Sequence, residues 1–306
     1  MNETVLSRFR EQIIEAGKQN QTLSIQGGNT KSWYGNPSQA SIMSTAPYQG
    51  ILDYQPEELV ITACAGTPIA EIESTLAKNN QILPFEPPHF GDHATFGGVI
   101  AAGLAGPARI SVGNLRDFVL GTRLMDGRGE DLSFGGKVMK NVAGYDVSRL
   151  LPGSLGTLAL LLEASVKVLP KPAATASLRC MMSAANALKI LNEWAGQPLP
   201  LNASAWIGDA RGEGELTIRL AGAKAALPHS MTQRLIYFGA IFGSSSFLGL
   251  TKCQITMPFG DSPCQPTAQH WSCPRTAHQK SLWNGTDKSA GYKVLLMNRQ
   301  QRHCKI

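Results

Sequence analysis

Residues 134–158 read FGGKVMKNVAGYDVSRLLPGSLGTL, and the class of fold turns on them. Gly144-Tyr145-Asp146 leads through Arg149-Leu150 to Gly153-Ser154-Leu155-Gly156-Thr157. Asp146 is placed to cap a short helix, and Gly153 and Gly156 are placed to turn the chain into a strand. That strand follows at once in LALLLEASVKVL, residues 158–169, which stops at Pro170. Local structure alone accounts for such a segment, so its meaning depends on its neighbours.

Upstream, DFVLGTRLMDGRGEDLSFGG (117–136) gives two strand-like runs joined by Asp126-Gly127, a hairpin signal. The Gly- and Pro-rich segment Leu83–Gly106 precedes it. Within that segment, Ala94-Thr95-Phe96-Gly97-Gly98 and then Ala101, Ala102 and Gly103 concentrate small residues. Such residues permit close approach of a large flat ligand, or simply of another backbone. Residues 51–76, ILDYQPEELVITACAGTPIAEIESTL, predict two short strands, a turn, and a helix from Ile69 to Lys78 with Pro68 at its start. Leu6–Gly17 carries apolar residues at helical spacing, and the β-like run Leu23–Gln26 breaks into Gln26-Gly27-Gly28-Asn29-Thr30. Glycines there let successive N–H groups converge on one anion such as a pyrophosphate, although any tight turn uses the same residues.

Strands and helices mix without strict alternation, so the hairpins predict an α+β domain rather than a doubly wound parallel sheet. Downstream, Pro170, Pro172 and KPAATASL (171–178) read as a linker. ALKILNEWAG (187–196) reads as a helix closed by Gly196 and Pro198, and LTIRLAG (216–222) as a strand, opening a second α+β unit. Beyond Lys224 the periodicity is lost.

Composition narrows the function. The chain has 306 residues, 43% hydrophobic and 16% charged, which is enough to bury a core and build two domains. A net charge of +6 without any dense basic run argues against a nucleic-acid partner and leaves anionic small molecules open. The absence of a long apolar run and the polar N-terminal helix predict a cytoplasmic protein. Neither G-x-G-x-x-G after a first strand nor G-x-x-x-x-G-K-[ST] occurs, so the dinucleotide-dehydrogenase and P-loop architectures lose their support.

In order and spacing, the three glycine clusters resemble the FAD domain of the vanillyl-alcohol oxidase superfamily. EPPHFGDHATFGG, GLAGP, RDFVLGTRLMDG and above all residues 134–158 resemble the small FAD-binding subunits of bacterial glycolate oxidases, over roughly Leu6 to Gly222. The resemblance implies a PCMH-type two-subdomain FAD-binding domain in 1–172, the start of an incomplete α+β cap in 173–225, and an atypical tail in 226–306. It implies that Gln26, Gly27, Gly28, Asn29 and Thr30 hold the FAD pyrophosphate, that Pro88, Thr95, Gly97, Gly98 and Gly103 line the cofactor, and that Gly156 lies near its nucleotide end. Some relatives attach flavin through a histidine directly after the glycine pair. Asn29 stands there instead, and no cysteine falls between Gln81 and Gly103, so the FAD is expected to be non-covalent.

The implied reaction is oxidation of a small 2-hydroxy acid, glycolate to glyoxylate. The implied partners are a larger FAD-binding subunit and an iron–sulfur subunit, with peripheral attachment at the inner membrane through that complex. His89 and His93 are the candidate bases, because imidazole titrates near neutral pH, but either equally suits a structural hydrogen bond. Arg109, Arg116, Lys140 and Asn141 are equally ambiguous partners for a substrate carboxylate. Three functions stay open: a subunit of an FAD-dependent glycolate dehydrogenase, a self-sufficient flavin oxidoreductase for another hydroxy substrate, and a non-catalytic FAD-binding assembly subunit. In the tail, the family's closing N-P-x-R-like segment is missing and the composition resembles out-of-frame coding, which predicts a frameshift. Metal binding by Cys253, Cys264, Cys273 and Cys304 is the competing reading, but their spacing lacks paired ligands, and no metal is expected.

Overall fold

A computed structural model describes residues 2–36, 38–136, 145–223, 254–256 and 293–295. The chain divides into two units, the first holding Met1–Gly106 with Gly113–Lys171, the second Pro107–Val112 with everything from Pro172.

The first unit opens with helix α1 (Asn2–Lys18), then β1 (Leu23–Gln26), β2 (Ser41–Ser44), β3 (Ile51–Gln55) and β4 (Val60–Cys64). Helix α2 (Ile69–Ala77), β5 (Gln81–Ile82) and helix α3 (Phe96–Ala102) follow. After a turn of 3₁₀ helix at Leu115–Asp117 come β6 (Val119–Met125), β7 (Asp131–Gly135), a second 3₁₀ turn at Val147–Leu150, β8 (Leu160–Lys167) and β9 (Leu169–Pro170). The main sheet is antiparallel, in the order β3-β4-β8-β6-β7. Strand β1 pairs in parallel with β2, and β5 pairs with β9.

Burial explains this arrangement. Every residue of β4 is buried, which is the signature of a strand covered on both faces. Between β4 and β8 the hydroxyls of Thr62 and Ser165 satisfy each other at 2.8 Å. Helix α1 turns Leu6 and Phe9 into a core with Met43, Tyr48, Cys64, Met125, Leu160 and Leu162, and Phe9 meets Tyr48 edge-on at 6.4 Å.

In the second unit, a short helix α4 (Arg109–Val112) packs on β11 (Leu201–Gly208). Strand β10 (Ala174–Ser183), helix α5 (Ala184–Ala195), β12 (Glu213–Gly222), β13 (Gln254–Thr256) and β14 (Lys293–Leu295) complete an antiparallel sheet ordered β13-β10-β12-β11-β14. Ser183 caps α5 by accepting from the Asn186 N–H, and Gly196 ends it. Ala187, Ile190, Leu191 and Trp194 press on Leu178, Cys180, Met182, Trp206, Leu216 and Ile218, and the Trp206 indole donates to the Met182 carbonyl at 3.1 Å.

Several sequence expectations are corrected. KPAATASL is not a linker throughout: from Ala174 it is β10, whose inward positions begin with Ala176 and Leu178 and are small enough to resemble linker composition. The Leu83–Gly106 segment contains α3, β2 lies beside β1, and β11 precedes β12. None of these three was anticipated. Asp146 makes no capping bond; its carboxylate pairs with Arg149 at 3.0 Å. Apart from β13 and β14, residues 224–306 lie outside the described residues, and with them the frameshift and tail-metal readings, as do Lys140, Asn141 and Gly144. Among the described residues no His, Cys, Asp and Glu cluster suits a metal, and no helix is long and apolar enough to cross a membrane.

Candidate functional site

The first unit brings the three glycine segments to one place. Strand β1 delivers Gly27 and Gly28 against the segment that enters α3. A Cβ on Gly27 would run into the Thr95 hydroxyl, and one on Gly28 into the His93 carbonyl. Thr95 is the N-cap of α3: it is buried, and its hydroxyl accepts from the Gly98 N–H at 3.3 Å. Within α3, Gly97 lies on Ala65 at the end of β4, where a Cβ would stand 2.6 Å from the Ala65 Cβ, and its N–H donates to the Ala65 carbonyl at 2.7 Å. This close approach is why a helix tolerates two adjacent glycines that propensity disfavours.

At the other end of α3, Gly103 adopts the left-handed C-cap with φ 62° and packs on Gly153. The N–H groups of Gly153 and Leu155 donate to the carbonyls of Ile100 (3.1 Å) and Ala101 (2.9 Å), tying the 153–156 turn to α3. A Cβ on Gly156 would meet Ile25 of β1 at 3.3 Å, which closes the circuit.

Between these segments lies a shallow, solvent-open cleft. Gly27, Gly97, Gly98 and Gly156 line it with Ala101, Ser154 and Leu155 of the second and third clusters, joined by Ile25, Thr45 and Ala65, which sequence reasoning had not singled out. The small residue after β4, in Ala65-Gly66-Thr67, was the one available signal for that wall. Gln26, Gly28, Asn29, Thr30, Thr95 and Gly103 sit beside the cleft as supports, and Pro88 is not part of its lining. Asn29 holds φ 52°, so the loop curls as a nest does. The N–H groups of Gly27 through Thr30 donate to no acceptor among the described residues. An apolar, small-residue wall beside unpaired N–H groups is suited to a flat ligand carrying an anionic group.

The two histidines part company. His89 Nε2 lies 3.2 Å from the Glu73 carboxylate on α2, while His93 is exposed and contributes its carbonyl to the Gly28 contact. Lys31 reaches the His89 carbonyl at 3.4 Å, and burial lowers its pKa to about 8. Arg116 is exposed near Asp117, at 4.0 Å. Arg109 belongs to α4 in the second unit.

Comparison with known proteins gives this geometry a class. Residues 9–135 match the FAD binding domain family, and FAD is the cofactor that this match indicates. Solved structures of alkyldihydroxyacetonephosphate synthase superpose with TM-scores of 0.59 and 0.58, covering 73% and 74% of this chain and 47% and 50% of theirs. At 18% identity that likeness shows the fold, the expected PCMH-type α+β architecture.

More particularly, the chain is 48% identical over 217 residues to the glycolate oxidase subunit GlcE of Escherichia coli, covering 71% of this chain and 61% of that protein. It is 34% identical over 122 residues to the glycolate oxidase subunit GlcD of Bacillus subtilis, covering 40% of this chain and 26% of that one. A D-lactate dehydrogenase of Archaeoglobus fulgidus is 30% identical over 146 residues, covering 47% and 32%. The resemblance to glycolate oxidase subunits is thus borne out, and the chain spans less than two thirds of the length of these relatives.

Proposed function

We propose that this protein is the FAD-binding subunit of a glycolate oxidase or dehydrogenase complex, oxidising glycolate to glyoxylate and passing the electrons on. The observation that carries the proposal is the convergence of residues 27–30, 95–98 and 153–156 on one cleft, in a chain 48% identical to a glycolate oxidase subunit. The unpaired N–H groups of Gly27–Thr30 would receive the FAD diphosphate. Gly97, Gly98 and Ala65 would admit a flat body where any larger side chain would block it. With Asn29 in place of a histidine, the flavin would be dissociable.

FAD supplies the acceptor for the hydride that leaves the α-carbon of a 2-hydroxy acid. The chain's own contribution is to bind, orient and exclude water. His89 is committed to Glu73, which favours an orienting role for it over proton transfer. That commitment supports a division of labour in which a larger FAD-binding subunit contributes to the substrate chemistry and an iron–sulfur subunit receives the electrons.

The test is a visible spectrum of the purified chain under anaerobic conditions, before and after glycolate, alone and with the partner subunits. Flavin that bleaches only in the assembly is the expected result. Bleaching in the isolated chain would instead make it self-sufficient, bleaching by another hydroxy acid alone would replace the substrate, and flavin inert in every assembly would leave a non-catalytic scaffold.

A further inference from the structure

The loop after β1 is held by more than glycine packing. The Lys31 ammonium donates to the His89 carbonyl and stands 5.9 Å from the centre of the Phe90 ring. The same ring meets Trp33 edge-on at 5.0 Å. Phe90 holds φ 56°, a left-handed conformation that is unfavourable for an aromatic residue and persists only where its surroundings impose it. Thr30 sits over Gly91, where a Cβ would come within 3.1 Å of the threonine methyl. The 89–91 segment is itself anchored to α2 through His89 and Glu73. Burial of Lys31 strengthens both of its contacts, because a partly desolvated cation gains more from a ring face and a carbonyl than an exposed one. Nothing in the hydride chemistry calls for this lysine.

We propose that Lys31 is a positioning residue that locks the loop after β1 onto residues 89–91 and thereby sets the N–H groups of Gly27–Thr30 for a diphosphate. The inference rests on reading that loop as the FAD diphosphate site. The Lys31 side chain adds a polar tie between two segments that also meet through Gly28 on His93, Gly91 on Thr30 and Trp33 on Phe90, so its loss frees the loop to relax away from the anion-binding curl.

The test is equilibrium binding of FAD to the full chain, followed by flavin fluorescence, with ADP as a competitor that carries the diphosphate but no flavin. Lys31→Met is expected to weaken FAD and ADP by the same factor of about tenfold. Lys31→Arg, which keeps a cation over the ring, is expected to stay within about threefold of the wild type. The melting temperature without nucleotide should change little in either. If the wild type binds no FAD, the FAD reading falls and takes this inference with it. If the wild type binds FAD but ADP does not compete, or Lys31→Met binds as tightly, or loses FAD but not ADP, or Arg fails to rescue, the positioning role falls while the FAD reading stands. Should Lys31→Met not fold, Phe90→Leu, which removes the ring beneath the ammonium, carries the same comparison.

Discussion

Arg123 joins three strands by itself. Its Nε and Nη2 donate to the two oxygens of Asp131 on β7 at 2.9 and 2.7 Å, and its Nη1 donates to Glu163 on β8 at 2.6 Å. Glu163 also accepts from the Tyr48 hydroxyl at 2.5 Å. The bond to Asp131, and then those to Glu163, hold the guanidinium firmly protonated, while burial and the bond to Glu163 push the Tyr48 hydroxyl upward. Arg123→Met leaves two partly buried carboxylates without a cation, and should lower unfolding stability by about 2 kcal/mol in a urea titration. No shift in the midpoint would show the network to be solvent-screened. Cys64, beneath Tyr48, is raised to about 11 by burial and then by the charge of Glu163. The folded chain therefore keeps this proton between pH 9 and 11, where the unfolded chain loses it, so stability present below pH 9 is lost across that interval. Denaturant midpoints at pH 8 and pH 11 should fall further apart in the wild type than in Cys64→Ala. At Gly28 the His93 carbonyl leaves no room for a methyl group, so Gly28→Ala should purify without its 450 nm absorbance while keeping its far-ultraviolet circular dichroism.

Among the elements, the β6–β7 hairpin shows what a short motif can and cannot say. Asp126-Gly127 correctly announced the turn, yet the glycine that the turn requires is Gly129. Its φ is 77°, its N–H donates to the Asp126 carbonyl at 3.0 Å, and a Cβ would press on Arg10 at 2.9 Å. Gly127 has open space around it and no positive φ. Gly129→Ala should therefore destabilise by about 1 kcal/mol, and Gly127→Ala should be neutral or stabilise slightly, both read from thermal melting. Equal effects would mean that the turn relaxes. Helix α3 is the reverse case: nothing in Phe96-Gly97-Gly98 favours a helix locally, and it forms because Thr95 caps it and Ala65 receives Gly97. The α1, α2 and α5 segments were legible because each repeats a helical period, and β3 and β4 because they are short β-prone runs bounded by turn residues.

For the whole molecule, two units with separate cores imply that FAD acts on one of them. A ligand that binds only the folded first unit adds stability by mass action, about 2.7 kcal/mol at a hundredfold excess over its dissociation constant. Calorimetry with and without FAD should move the transition of the first unit and leave that of the second where it was. A second-unit transition that moves equally would show the two to be coupled.

What this sequence determined by itself is whatever depends on a few neighbouring residues. That covers the β-prone runs of about half the described strands, the helical periods of α1, α2 and α5, the glycine turns, and the order of three clusters that marks an FAD domain. Tertiary structure alone decided what those clusters do to one another: Gly27 and Gly28 against Thr95 and His93, Gly103 against Gly153, Gly156 against Ile25, and Lys31 across to His89 and Phe90. The reason is physical. A glycine advertises only that a Cβ would be in the way, and the atom that it would strike lies some fifty to a hundred and thirty residues distant along the chain, brought near by a sheet whose pairing no local pattern contains.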